Sequence, residues 1–159
     1  MPVELVKFEN RPLQAYFSNT TQLADVIASI LEHIGPAEIV ISTFSTSEEF
    51  LRRIFRYKRD GKITSATLFC DLKAARKTVH LYKFITELFD AVYLAENHSK
   101  VLLLSNKKYK ISVVTSQNQT RGDRFECGVV SSSAELFDVL AKGFASMQEK
   151  SLPIDGLLG

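Results

Sequence analysis

His98, Ser99 and Lys100 follow the apolar run "AVYLA" of residues 91–95. Histidine is the side chain best suited to proton transfer or nucleophilic attack near neutral pH. On an extended segment, residues two apart face the same way. Lys100 would then set a fixed positive charge beside the imidazole, an arrangement that suits an anionic group such as a phosphodiester. Ser116 and Asn118 repeat the spacing after the apolar run "KISVV". A serine hydroxyl and an asparagine amide can both donate to phosphate oxygens. Glu126 opens the next apolar run, where a carboxylate could orient the imidazole and stabilise its charged form. Positioning and charge stabilisation are most of what phosphoryl transfer asks of a protein. Each piece has a plainer reading. His-x-Lys recurs by chance, Ser-x-Asn after a strand is turn chemistry, and a glutamate at a strand start is commonly solvated. Their order, and their shared place at strand ends, carries the argument.

The elements that must position them read as follows. "VELVKF" and "LQAYF" are short strands of an N-terminal hairpin. "TTQLADVIASILEHIGP" is a helix, with Leu23, Val26, Ile27, Ile30, Leu31 and Ile34 at helical spacing, a threonine cap and a Gly35-Pro36 stop. "AEIVIS" is a buried strand. "TSEEFLRRIFRYKRDGK" is a second helix, with Thr46 and Glu49 as a capping box and Gly61 as the stop. "ITSATLFCD" is a strand, and residues 72–89 form a third helix with Leu72, Val79, Ile85 and Leu88 inward. "AVYLA", "KVLLLS", "KISVVTS" and "FECGVVSS" are strands, and "SAELFDVLAKGFASMQEK" is the closing helix. Strands alternating with helices through residue 95 imply βαβ units. The expected fold is α/β, with a mixed, mainly parallel sheet and helices on both faces. Ligand groups in such sheets gather at strand ends and the loops that follow them.

The chain has 159 residues, 45% of them hydrophobic and 24% charged, with a net charge of +2. That fits one domain over residues 1–150 with a core of its own, and a tail over 151–159. The charge is too small to argue for nucleic acid or a membrane by itself. Cys70 and Cys127 sit in apolar runs without a Cys-x-x-Cys or Cys/His pairing, which argues against a zinc site and for a reducing compartment. No apolar run approaches the roughly 18 residues of a membrane span, and "MPVELVKFEN" lacks the apolar core of a signal segment. The expectation is a cytoplasmic protein.

The ordered set resembles the phospholipase D superfamily. There the pattern is H-x-K-x4-D, a strand, G/S-S-x-N, and an acidic residue leading the next strand. Here it stands as His98-Ser99-Lys100, Thr115-Ser116-Gln117-Asn118 and Arg124-Phe125-Glu126. "AEIVISTFSTSEEFLRRI" is similar to the family's first core strand and helix, "SSAELFDVLAKGF" to its last helix, and the likeness spans roughly residues 20–147. Two positions depart from the pattern. The family Asp falls on Ser105, and the family Gly before the serine is Thr115. The resemblance implies that His98 attacks phosphorus to form a phosphohistidine. It implies that Lys100 and Asn118 hold phosphoryl oxygens with help from Ser116, and that Glu126 bonds an active-site imidazole. The family's chemistry also needs a second histidine as general acid. This chain has one H-x-K, and its other histidines, His33 and His80, lie in helical sequence. The resemblance therefore implies a homodimer in which two copies of His98 meet across a twofold axis, as in the single-motif nucleases of the superfamily. It implies no metal and no cofactor.

Basic residues cluster. Arg52, Arg53, Arg56, Lys58, Arg59 and Lys62 crowd the second helix and its exit, and Lys73, Arg76 and Lys77 open the third. These are as well read as solvated helix faces. Lys107, Lys108 and Lys110 are taken to sit on a turn beside the site, and Arg121 and Arg124 flank Asn118. A cationic rim that includes Lys108, Arg121 and Arg124 suits a nucleic-acid backbone held by its phosphates. Three readings remain open: a nuclease-like phosphodiesterase, a degenerate domain that binds DNA or a protein, and a lipase or phosphatidyl transferase. The last is disfavoured because no amphipathic or aromatic membrane anchor is evident.

Overall fold

The computed structural model describes residues 3–119 and 123–154, with the backbone alone at 76–78. The elements are β1 (Leu13–Ser18), α1 (Leu23–Ile34), β2 (Ala37–Thr43), α2 (Glu48–Arg59), β3 (Ile63–Asp71), α3 (Leu72–Ala75), a 3-10 segment (Arg76–Leu81) and α4 (Tyr82–Leu88). Then come β4 (Ala91–Ala95), β5 (Val101–Ser105), β6 (Lys110–Thr115), β7 (Glu126–Ser131), α5 (Ala134–Glu149) and β8 (Leu152–Pro153). Among the described residues the strands form one sheet in the order β1-β7-β6-β5-β2-β3-β4-β8.

The sheet is mixed, as expected, but mostly antiparallel rather than mainly parallel. Among the described strands, only β2–β3 and β3–β4 pair parallel. The β1–β7, β7–β6, β6–β5, β5–β2 and β4–β8 pairs are antiparallel. Connection length explains the difference. A parallel pairing needs a crossover of about a dozen residues or more. The chain has such crossovers through α2 and through α3–α4, but residues 96–100 and 106–109 are too few for one. Each later strand therefore runs back against its neighbour.

Helices lie on both faces. The larger core joins Ile27 and Ile30 of α1, Leu51 and Ile54 of α2, and Ile85 and Leu88 of α4 to Ile39, Ile41, Leu68, Leu102 and Leu104 of the sheet. On the opposite face Phe144, Phe137 and Leu140 of α5 pack on Phe69, Leu103, Val40 and Tyr93. α1 stops at Gly35, whose φ of 80° is a conformation that glycine adopts without steric cost. α2 is capped by Ser47, which accepts from the Phe50 amide, and not by Thr46. Thr46 is instead buried in a bridge to Gln119.

Three local expectations change. Residues 3–7 form no strand, so there is no N-terminal hairpin; β1 pairs with the late strand β7. The third helix is broken by the 3-10 segment, and Val79, expected inward, is 51% exposed. The tail is held at its start, where β8 pairs with Tyr93 and Leu94 of β4.

Candidate active site

Strand direction decides where the motif residues fall. β2, β3 and β4 end at one edge of the sheet. β5 runs against β2, so it begins at that edge; β6 then ends there and β7 begins there. His98 and Lys100 precede β5, Ser116 and Asn118 follow β6, and Glu126 opens β7. All five thus lie along one edge.

β5 is not next to β4, because β2 and β3 stand between them. Residues 96–100 must therefore cross about 14 Å, three strand spacings. The six Cα-to-Cα steps from Ala95 to Val101 reach roughly 20 Å when extended. The segment thus has room for the turn in which the Ser99 amide bonds the Asn97 side chain, and it is tied down at each strand it passes. The Asn97 amide donates to Asp71 at the end of β3 (2.9 Å). The Asn97 side chain donates to the Thr43 carbonyl at the end of β2 (3.1 Å) and accepts from the Ser99 amide (3.0 Å). Ser99 Oγ meets Ser42 Oγ at 2.9 Å. His98 is the exposed residue between these anchors, with its ring edge-on to Phe44 at 4.8 Å between centroids. Lys100 Nζ donates to the His98 carbonyl (3.2 Å), which keeps the ammonium beside the histidine.

Asp71 is the buried anchor of this edge. Its carboxylate also accepts from the amides of Lys73 (3.0 Å) and Ala74 (3.1 Å). Burial pushes its pKa up, but the amides of Asn97, Ala74 and Lys73 and the charge of His98 outweigh that and hold it below the usual carboxylate range.

The Ser-x-Asn segment is fixed from the other side. The Thr115 amide donates to the Lys100 carbonyl (3.1 Å), joining the two motif segments directly. The Ser116 hydroxyl donates to the Glu126 carboxylate and accepts from the Cys127 amide (3.0 Å). Ser116 and Glu126, read from sequence as separate groups for phosphate and imidazole, are thus bonded to each other. Thr115, at the family's glycine position, bonds the Tyr16 hydroxyl (2.9 Å) and the Cys127 carbonyl (3.0 Å). Tyr16 in turn donates to Gln117 (2.5 Å), whose amide donates to the Thr21 carbonyl (2.7 Å). Burial is the main cause that pushes the Tyr16 hydroxyl up to about 12, with the Thr115 bond acting the other way.

Asn118 is half-buried and turned toward the starts of α1 and α2, where it lines a small cleft with Gln22, Ser47 and Arg53. Its Oδ1 is buried without a hydrogen-bond partner among the described residues. Arg124 is exposed two residues before Glu126. Arg121 lies outside the described residues.

Lys108 is a correction. It was expected beside the site, but the β5–β6 turn lies at the end of β5 opposite His98, where Asn106 bonds the Ile34 and Pro36 carbonyls. A hairpin that begins and ends at one edge must turn at the other. Ser105, at the family's aspartate position, lies at that far edge too and donates to Glu38. The basic cluster on α2 is largely neutralised: Arg52 pairs with Glu48, Arg53 with Asp25, Lys58 with Asp90 and Arg59 with Asp60. These cations belong mainly to the helix surface.

The sequence reading missed Asp71, Asn97, Tyr16 and Gln117, which hold the motif residues in place. Asp71 had a readable signal, since an Asp just before a helical run is an N-cap pattern. Tyr16 had none beyond ordinary strand alternation. Among the described residues no three His, Cys, Asp or Glu side chains cluster so as to hold a metal ion. No described helix is long and apolar enough to cross a membrane.

No protein-family model and no curated protein matches the chain. Solved structures do. Nuc of Salmonella typhimurium, a phospholipase D family member, matches with a TM-score of 0.68 at 14% identity, over 89% of this chain and 96% of that one. NucT of Helicobacter pylori matches with a TM-score of 0.66 at 14% identity, over 89% and 99% of the two chains. TrmBL2, an archaeal chromatin protein with a novel mode of DNA binding, matches with a TM-score of 0.54 at 8% identity, over 91% of this chain and 55% of that one. The chain has the phospholipase D-like fold.

Proposed function

We propose that the chain is a nuclease-like phosphodiesterase that acts without a metal, through a phosphohistidine at His98, in a homodimer. The observation that carries this is that three separate segments, those of His98 and Lys100, of Ser116 and Asn118, and of Glu126, reach the same sheet edge, where the Thr115 amide bonds the Lys100 carbonyl and Ser116 bonds Glu126. Packing alone does not require these residue types there.

In this reading a ring nitrogen of His98 attacks phosphorus. An N–P bond forms and the P–O bond to the leaving group breaks. The His98 of a second copy gives the leaving oxygen its proton, then takes one from the water that cleaves the N–P bond. Lys100 stabilises the charge that builds on the phosphoryl oxygens, and Asn118 donates to them once its amide faces the site. Glu126, steadied by Ser116, supports a charged imidazole, its own or the partner's. Arg124 and Arg121 meet the neighbouring phosphates of a nucleic-acid backbone.

The test is cleavage of DNA and of a generic phosphodiester by the purified chain in excess chelator. Turnover that persists in chelator and vanishes in His98→Ala is the expected result. A pure dimer that binds DNA but turns over neither substrate would overturn the reading in favour of a binding module. The replacement of the motif Asp by Ser105, the threonine at 115 and the likeness to TrmBL2 support that second reading.

A further inference from the structure

Most buried polar side chains in this fold are paired, and the exceptions gather in one place. Among the described residues five buried side-chain nitrogen or oxygen atoms have no hydrogen-bond partner, and four of them belong to Thr46, Asn118 and Gln119. Such atoms are costly to leave unmet, so a cluster of them marks a site for something that bonds them. Gln119 is the extreme case. It is 2% exposed, and both ends of its side-chain amide are unpaired. Gln117, two residues earlier and also buried, has both ends bonded, to Tyr16 and to the Thr21 carbonyl.

The backbone explains why Gln119 stays buried. Its amide donates to the Ser45 carbonyl (3.2 Å), and its carbonyl accepts from the Ser47 hydroxyl (2.8 Å). Gln119 thus forms a bridge with Thr46, and bridge partners turn their side chains to the same face. Asn118 and Gln119 together line the cleft between the starts of α1 and α2. The space in this cleft is about 20 Å³. One water needs about 10–15 Å³ of such space, whereas a nucleobase or a phosphate is far too large for it.

We infer that this cleft binds one internal water, which joins Gln119 to Asn118 and makes Gln119 a positioning residue for the Asn118 amide. The hydrogen-bond inventory matches. A water both donates and accepts, and a buried one makes about three bonds. The cluster offers two acceptors, Asn118 Oδ1 and Gln119 Oε1, one donor, Gln119 Nε2, and a Thr46 hydroxyl that serves as either. Glu49 and Arg53 bring both signs of charge to the lining, and Arg53 is already held by Asp25 (2.7 Å) and Tyr57 (2.8 Å). A neutral occupant fits such a lining better than an ion of either sign. A water that donates to Oδ1 holds Asn118 by its oxygen. Nδ2 is then the end of the amide left to donate to a phosphoryl oxygen. That last step rests on the reading of Asn118 as a phosphate ligand, whereas the water itself does not.

Urea unfolding of the full chain tests the water without reference to catalysis. Gln119→Met nearly keeps the volume and removes the amide. If a water ties that amide to Asn118, the change strands Oδ1, and the urea midpoint should fall by roughly 0.5 M or more. If the amide has no partner, the change is neutral or stabilising, and an unchanged or raised midpoint overturns the assignment. A high-resolution crystal structure of the wild type is expected to show one ordered water within hydrogen-bond reach of Gln119 and of Asn118 Oδ1, lost in Gln119→Met. No water there also overturns the assignment. Single-turnover cleavage of an oligonucleotide in chelator reads the positioning role. Gln119→Met is expected to lose roughly tenfold, and to lose little where Asn118 is already alanine. Equal losses in both backgrounds overturn the positioning role and leave the water standing. A wild type without turnover overturns that role together with the phosphodiesterase reading, while the midpoint and the crystal structure still decide the water.

Discussion

The phenol end of Tyr16 lies over Gly128, its cross-strand partner, so closely that a methyl group on Gly128 would sit 2.6 Å from the ring and from its hydroxyl. The contact sets more than the packing of β1 on β7. From there the Tyr16 hydroxyl reaches Thr115 and Gln117, the two residues that flank Ser116. The position of the Ser-x-Asn segment therefore depends on the absence of a side chain at 128.

Gly128→Ala should be costly. Tyr16 is 8% exposed and its hydroxyl is held by two partners, so the ring cannot yield without breaking them. Overpacking of this kind costs about 1–3 kcal/mol. Denaturant unfolding should show that loss in the wild-type background and little of it in Tyr16→Leu, where the ring is gone. Equal losses in both backgrounds would mean that the ring is not the obstacle.

Tyr16 should also titrate late. An ordinary tyrosine ionises near 10, whereas Tyr16 is raised to about 12. The unfolded chain gives up its proton first, so the stabilisation from Tyr16 is complete below about pH 10 and gone once pH passes about 12. Phenolate absorbance of the folded chain should contain a late component that Tyr16→Phe removes. The stability gap between wild type and Tyr16→Phe, about 1 kcal/mol or more at neutral pH, should close as pH rises through that window. A constant gap would mean that the hydroxyl is not held as described.

Asp71→Asn tests the anchor under the His98 segment. The carboxylate accepts three backbone amides, and an asparagine there turns an amine toward at least one of them. The loss should be about 1–3 kcal/mol at neutral pH. The carboxyl is depressed in the fold, so its contribution is present above the ordinary value of about 4. It disappears as pH falls through the folded value. Urea unfolding of both chains at neutral and acid pH should show the gap shrinking toward acid. A gap independent of pH would remove the carboxylate from the account.

Much of this was legible in the sequence, and what was not has physical reasons. The alternation of apolar runs with amphipathic stretches gave nearly every strand and helix, because burial is written into residue spacing. Strand direction is not written there. The parallel expectation came from the alternation through residue 95, while the short links at 96–100 and 106–109 carried the contrary evidence. The same hairpin geometry removes Lys108 from the site, since a turn lies at the edge opposite the start of its first strand and the end of its second. The motif residues were readable because their types are chemically unusual at strand ends. Their supports were not. Asn97, Tyr16 and Gln117 act through partners 54, 99 and 96 residues away, which spacing along the chain cannot reveal.

The Ser116–Glu126 bond separates two roles for the serine. If Ser116 acts by steadying the carboxylate, then Ser116→Ala should lower kcat/KM for an oligonucleotide by roughly tenfold, the lower end of the effect of removing a supporting hydrogen bond. Glu126→Gln should lower it by about 10²-fold, the lower end for a group that supports proton transfer. The double variant should then be little worse than Glu126→Gln alone, because the serine no longer has a carboxylate to hold. If Ser116 instead donates to the phosphate independently, the two losses should multiply, to about 10³-fold. Single-turnover rates of the four proteins in chelator decide between these outcomes. The Cys127 amide, which donates to the Ser116 hydroxyl in the present structure, fixes the hydroxyl's orientation in either case.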